Sequence, residues 1–353
     1  MADRSLPFVR ATGSPFDLGV RHGEYRAEAL RAFLDDGVAR LNLVLPKETS
    51  LAELSPGMAG YRAAIEATAP ELLDEIMGLA QGAGLSADEA LLLQLRREIM
   101  GYRRVPTAGD CTTYAICPPG RTGPTVLAQT VDLNGNLDDQ ICVLDVGRTG
   151  SGRRALVLSF GGLLGYLGIN TDGLAVGLNL VLGGRWGPGL PPYLAIRHLL
   201  DSASSVEQAI SILRRLIPLA SSRSITLCDP AGAAYVEMSD NEIRVVTAER
   251  QVVHTNHFLH PDLARADGLN VFARRSSLRR LRAARDGLGE LAPSADPEEH
   301  FALLATGPIR VPDRGDVRAE RTVAAVVMVP SRGELHIRPG DPAQSGTQVF
   351  KLE

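Results

Sequence analysis

The sequence predicts an α+β fold in which antiparallel sheets are covered by helices. Helical periodicity dominates the first hundred residues. From Cys111 onward it gives way to short β-branched or alternating segments separated by Pro, Gly and Asn turns. The blocks run helices, strands, helices, strands, without a regular βαβ alternation. That order suits antiparallel sheets with helices on their outer faces.

In chain order, Pro15-Phe16-Asp17 opens a helix whose Tyr25, Ala29, Leu30, Phe33, Val38 and Leu41 fall at helical spacing. Met58 to Glu66 and Pro70 to Ala83 continue the helical pattern. Ser86 before Asp88-Glu89 caps a fourth helix, because its hydroxyl accepts from amides exposed one turn on. Strands are expected at 112–116, 125–132, 141–146 and 154–160. Segments 166–170 and 174–180 flank Thr171-Asp172-Gly173, a good hairpin turn. Helices at 193–201 and 205–216 follow, with Ser204 or Ser205 as cap of the second. Strands resume at 224–228, 234–238, 243–247 and 251–255. Residues 273–286 and 297–304 read as helices, and 322–329 with 334–337 as a closing pair turned at Ser331-Arg332-Gly333. Gly183 to Pro192, with Arg185 and Trp186, reads as a surface loop and a candidate rim of the active site.

Composition narrows the function. The chain has 353 residues, 44% hydrophobic and 22% charged, which is ordinary for a globular enzyme. A net charge of −4 excludes a strongly basic nucleic-acid binder and gives no reason to expect an anionic membrane as partner. No apolar run reaches the roughly 18 residues of a membrane span. Asp3 and Arg4 are followed by no stretch of signal-peptide character. Four cysteines, Cys111, Cys117, Cys142 and Cys228, form no CxxC pair and no disulfide-dense pattern, so a cytoplasmic location is expected.

Cys111 stands out because it sits where helices give way to strands, in Gly-Asp-Cys-Thr-Thr. A free thiol has a pKa of about 8.5 and needs a base to attack at neutral pH. A chain-terminal cysteine carries its own base, an α-amine of pKa about 7.7–8.0. Cys111 gains that amine only if the Asp110–Cys111 bond is broken. By position alone, packing is the commoner role of a free cysteine. Cys117, Cys142 and Cys228 read as packing residues.

Four segments in order carry a resemblance: Asp110-Cys111-Thr112-Thr113, Ala128-Gln129-Thr130-Val131-Asp132, His254-Thr255-Asn256-His257 and Ser276-Ser277-Leu278-Arg279-Arg280. With Gly19, His22 and Gly23 upstream, they resemble the acyl-coenzyme A:6-aminopenicillanic acid acyltransferase (isopenicillin N acyltransferase-like) family of N-terminal-nucleophile hydrolases. The resemblance implies a four-layer αββα sandwich. It implies a helical α-segment, residues 1–110, retained or not after cleavage, and a catalytic β-segment, 111–353, together forming one domain. It implies self-cleavage at Asp110–Cys111 and an acyl-enzyme on Cys111 whose acyl group passes to water or an amine. Asp110 departs from the Gly common at that position, and Thr130 from a common Asn.

Asn256 is then the expected oxyanion donor, a role whose loss typically raises the barrier by about 2.7–4 kcal/mol. Asp132 is expected near the freed amine of Cys111. Arg280, counted from Ser277, or Arg279, counted from Ser276, would bind a carboxylate or pair with a buried acid. Thr130 and Ser222 are expected at the substrate, and Ser224 shares Ser222's strand start. The expected partners are an acyl amide or acyl-CoA and an amine acceptor, with no cofactor, nucleic acid or membrane. His254, His257 and His260 invite a zinc reading, but a strand sends residues three apart to opposite faces, so no metal is expected. Two other classes stay open: an unprocessed, non-catalytic binding or scaffold protein, and a histidine-based metalloenzyme.

Overall fold

The computed structural model describes residues 5–101, 111–118 and 123–353. Strand β1 (Phe8–Gly13) comes first, then helices α1 (Pro15–Asp35), α2 (Gly37–Val44), α3 (Leu51–Thr68), α4 (Pro70–Ala83) and α5 (Ala87–Met100). Strands β2 (Thr113–Ile116), β3 (Val126–Leu133), β4 (Ile141–Arg148), β5 (Arg154–Phe160), β6 (Leu167–Asn170) and β7 (Ala175–Leu180) follow. After α6 (Pro192–Ser202) and α7 (Val206–Leu216) come β8 (Arg223–Asp229), β9 (Gly232–Ser239), β10 (Glu242–Ala248) and β11 (Gln251–His254). The chain closes with α8 (Pro261–Ala264), α9 (Val271–Glu290), α10 (Pro297–Leu304), β12 (Arg321–Val329), β13 (Glu334–Pro339) and β14 (Gln348–Lys351).

The strands form two sheets, ordered β1-β4-β5-β6-β7-β8-β9-β10 and β11-β2-β3-β12-β13-β14. Every pairing is antiparallel except β1 with β4. The inner faces meet through apolar side chains such as Leu127 and Val131 on β3 and Leu178 on β7. Helices α1, α6 and α7 lie on the eight-stranded sheet, and α9 and α10 on the six-stranded one. A second apolar layer, with Ala128, Val327, Leu281 and Phe301, holds that outer pair in place. The result is the α+β, helix–sheet–sheet–helix sandwich expected from the sequence.

Local chemistry accounts for the helix starts. Ser14, Ser50, Ser86 and Asp296 each cap a helix and close a capping box with an acid three residues on. Ser205, not Ser204, caps α7. The β6–β7 hairpin turns at Gly173, which has φ +85°, while Asn170 Oδ1 accepts from the amides of Asp172 and Leu174. Helices α1 and α4 approach closely enough that glycines form the contact. A Cβ on Gly19 would lie 2.0 Å from the Glu75 carbonyl oxygen, and one on Gly78 would lie 2.1 Å from that of Phe16.

Three features depart from the sequence expectation. Residues 8–13 form a strand, because pairing beside β4 supplies hydrogen bonds that no local signal announces. Strand β14 forms the same way, against β13. Helix α2 opens with Val38, Ala39 and Arg40 all in the left-handed region, where side chains are disfavoured. Tertiary contacts hold them there: the Ala39 carbonyl accepts from Arg96, and Arg40 reaches the Asn136 carbonyl and Asp139.

Candidate active site

Cys111 lies two residues before the start of β2 and is 3% exposed. Its strand is bound to β3 by Thr130: the Thr130 amide donates to the Thr112 carbonyl, and the Thr112 amide donates to Thr130 Oγ1. The Cys111 carbonyl accepts twice, from Asn179 Nδ2 at 2.8 Å and from an Arg280 Nη at 2.9 Å. Its Sγ stands 3.8 Å from the Tyr166 hydroxyl. Asp110, on the other side of the expected cleavage point, lies outside the described residues. The other cysteines are buried, and burial pushes the thiols of Cys117 and Cys142 up to about 11 and 12 and that of Cys228 well up. They stay protonated at neutral pH and serve as packing.

Arg280 is fully buried on α9 and ties Cys111 to the His-Thr-Asn-His block. One Nη holds the Cys111 carbonyl and Thr112 Oγ1, and the other donates to Asn256 Oδ1 at 2.7 Å. Arg279 is exposed, whereas Arg280 is buried and donates to a carbonyl, a hydroxyl and an amide oxygen. Asn256 is further fixed by its own amide, which donates to Ser277 Oγ, and by Nδ2, which donates to the Leu180 carbonyl at 3.0 Å. Ser277 also meets His257 Nδ1 at 2.7 Å.

The three histidines face three different partners. His254 Nε2 meets Glu237 at 2.8 Å, His257 meets Ser277, and His260 Nδ1 caps α8 by accepting from the Asp262 amide. Among the described residues no His, Cys, Asp and Glu side chains cluster at metal-binding distances. Burial lowers His257 to about 4, so its ring is neutral at physiological pH.

A cavity of about 60 Å³ opens beside the sulfur. Cys111 and Asp132 both line it, with Tyr166 and Leu178. Asp132 Oδ1 accepts from Thr322 Oγ1 at 2.7 Å. Much of the wall comes from the segment before Cys111: Phe33 of α1 and Leu93, Arg96, Arg97 and Met100 of α5. Thr130, Asn256, Arg280 and Ser222 are not among the described residues that line the cavity. Ser222 Oγ donates to the Val181 carbonyl and accepts from the Gly183 amide and the Trp186 indole. It therefore anchors the Gly183–Pro192 loop. Ser224 is buried on the same strand.

Several residues at this site escape sequence reasoning. Asn179 and Gln129 sit on strands where only apolar side chains would be expected. Gln129 Oε1 accepts from the Leu178 amide across the two sheets. A polar residue inside an apolar strand was the available signal for both. Tyr166 and Arg223 carried no such signal, since their partners lie far away in sequence.

A sequence model of the acyl-coenzyme A:6-aminopenicillanic acid acyl-transferase family matches residues 120–343. The acyl-coenzyme A:6-aminopenicillanic-acid-acyltransferase 40 kDa form of Emericella nidulans is 26% identical over 304 residues, covering 84% of this chain and 83% of that protein. Among solved structures, penicillin V acylase from Agrobacterium tumefaciens aligns with a TM-score of 0.49 and 16% identity, over 69% of this chain and 86% of the other. An N-acylethanolamine-hydrolyzing acid amidase ortholog from Caenorhabditis elegans aligns with a TM-score of 0.48 and 18% identity, over 69% of this chain and 100% of the other. With well over half of its length matched by the family model, the chain belongs to the acyl-coenzyme A:6-aminopenicillanic acid acyl-transferase family of enzymes.

Proposed function

We propose that this chain cleaves itself at Asp110–Cys111 and then uses Cys111 to transfer acyl groups from amides or thioesters to water or an amine. One observation carries the reading: Cys111 sits just ahead of β2, lines a cavity, and has its backbone carbonyl held by Asn179 and Arg280. A nucleophile fixed by its own backbone loses little entropy on reaching the attack geometry.

In the maturation step the thiol adds to the Asp110 carbonyl, and the peptide nitrogen takes the proton and leaves as the Cys111 α-amine. Water then hydrolyses the thioester and frees the Asp110 carboxylate. In turnover the α-amine takes the thiol proton as sulfur attacks the substrate carbonyl. The leaving amine or thiolate accepts that proton, and a thioester acyl-enzyme remains. Water or an acceptor amine resolves it, passing a proton back through the α-amine. Asp132, on the cavity wall, orients the α-amine. Asn256 serves the oxyanion, with its Nδ2 exchanging the Leu180 carbonyl for the developing charge. Arg280 and Thr130 fix the strand that carries the nucleophile, and Ser222 shapes the substrate loop. The proposed unit is one domain in which segment 1–110 stays bound, because Phe33, Leu93, Arg96, Arg97 and Met100 build part of the cavity wall.

The test is a panel of acyl amides and acyl-CoA/amine pairs assayed with wild type and Cys111→Ala. Wild type is expected to turn over at least one class, and Cys111→Ala none. Full activity in Cys111→Ala on every accepted substrate would end the proposal. A chain that never cleaves and turns over nothing would favour a non-catalytic binding protein.

A further inference from the structure

The cavity beside Cys111 carries more guanidinium groups than acyl transfer to or from a neutral amide calls for. Arg96 and Arg97 on α5 and Arg223 at the start of β8 all line it. Arg223 is 1% exposed and lies between two rings, with its guanidinium carbon 5.3 Å from the Trp186 centroid and 5.6 Å from that of Tyr193. The Arg97 guanidinium carbon lies 5.8 Å from the centroid of the same Trp186 ring. Arg223 uses one Nη on the Ser222 carbonyl, and Arg96 uses Nε on the Ala39 carbonyl.

Four nitrogens are left over. Arg96 Nη2, Arg97 Nη2 and both Nε and Nη2 of Arg223 are buried and have no hydrogen-bond acceptor among the described residues. The neighbouring acid shares an ion pair with Arg223 but accepts a hydrogen bond from none of these nitrogens. Glu98 accepts from Ser221 Oγ at 2.8 Å and stands 3.6 Å from Arg223 Nη2, beyond hydrogen-bond distance. Burial, with the charges of Arg97 and Arg40 adding to it, pushes the Arg96 guanidinium down to about 10. Buried donors without acceptors are costly, and several converging on one cavity mark a place for an anion.

We infer that this group of arginines is a subsite for a carboxylate on the amine side of the substrate, so that the enzyme prefers N-acyl amino acids to neutral N-acyl amines. The inference rests on the acyl-transfer reading above and adds the substrate class to it. The placement follows from the contacts. Tyr166 touches the sulfur and stacks on Tyr193 at 5.2 Å, and Tyr193 stacks on Arg223, so the guanidinium lies two rings from the thiol. Leu93, Leu137, Phe160 and Leu163 form an apolar stretch of the lining that suits the acyl chain, and Asp132, Asn134 and Glu320 complete its polar part. Arg97 belongs to the segment before the cleavage point and Arg223 to the segment after it. The carboxylate therefore bridges both, and the subsite exists only while the two segments stay together.

The test compares octanoylglycine with octanoylglycinamide, each with the amide NH replaced by CH₂ so that neither is cleaved. Binding to the full protein, with both segments retained, is measured by calorimetry for wild type, Arg97→Gln and Arg223→Gln. Wild type is expected to bind the acid at least tenfold more tightly than the amide, and each variant less than threefold. Arg97 is only partly buried, so its variant decides the matter if loss of the buried Arg223 unfolds the chain. Equal affinities in wild type, binding of neither compound, or a preference that survives both substitutions would overturn the subsite. Failure of the authentic octanoyl amides to be turned over, with the tenfold preference intact, would count against acyl transfer and leave the subsite standing.

Discussion

Arg280 spans Cys111 and Asn256 with one planar group, so the proposed nucleophile and the proposed oxyanion donor cannot shift independently. A lysine there would lose one of the two directions, because an ammonium lacks the fork. Asn256→Ala is expected to keep the fold and lower kcat by about 10²–10³-fold with a small change in KM, as removal of a transition-state donor does. Unchanged kcat with a normal melting curve would remove Asn256 from the mechanism. The choice of Arg280 over Arg279 was within reach of the sequence. Ala273, Ser277, Leu281, Ala284 and Leu288 mark the buried stripe of α9, and Arg280 falls on it. The partners of Asn256 were not within reach. Leu180 lies on another strand, and nothing local to either residue announces the pairing.

At the level of elements, the loop after β11 owes its shape to Glu237 on β9. Its carboxylate accepts from His254 Nε2 and from the amides of Leu259 and His260. Burial raises the Glu237 pKa, but the His254 bond and charge outweigh it and hold the group below the usual range. Glu237→Gln is expected to loosen the 254–260 loop and lower kcat severalfold while leaving KM nearly constant. An unchanged kcat would show that the loop needs no such anchor. The α1–α4 contact makes a cleaner structural prediction. Gly78→Ala is expected to destabilise the chain by about 1–3 kcal/mol, read from the denaturant midpoint, since the added methyl meets backbone that cannot retreat. Most element limits could be read from periodicity and turn residues, as for α10 and β5. Strands β1 and β14 could not, because a short strand at the end of a chain is defined by its neighbour more than by its own residues.

Across the whole molecule, the two sheets and their helices enclose three neutral histidines. Burial lowers His22 to about 3 and both His257 and His300 to about 4. In the unfolded chain these rings titrate near 6.5. Each folded pKa is depressed, so between about pH 6.5 and 4 the unfolded chain binds more protons and stability falls as the pH falls. The melting temperature is expected to drop steadily from pH 7 to pH 4, and His300→Gln to flatten part of that slope. A melting temperature independent of pH over this range would contradict the neutral assignment. The layered class was legible because helical and strand periods occupy separate blocks. The pairing of β1 with β4, which draws the segment before Cys111 into the sheet of the segment after it, was not. That pairing, with the α5 wall of the cavity, is what would hold the proposed two segments together once the bond between them is cut. Intact-mass spectrometry of the active protein, under native and then denaturing conditions, tests the central claim most directly. The expected result is one native particle that separates on denaturation into residues 1–110 and 111–353, the latter beginning at Cys111. A fully active preparation that remains a single covalent chain of 353 residues would contradict it.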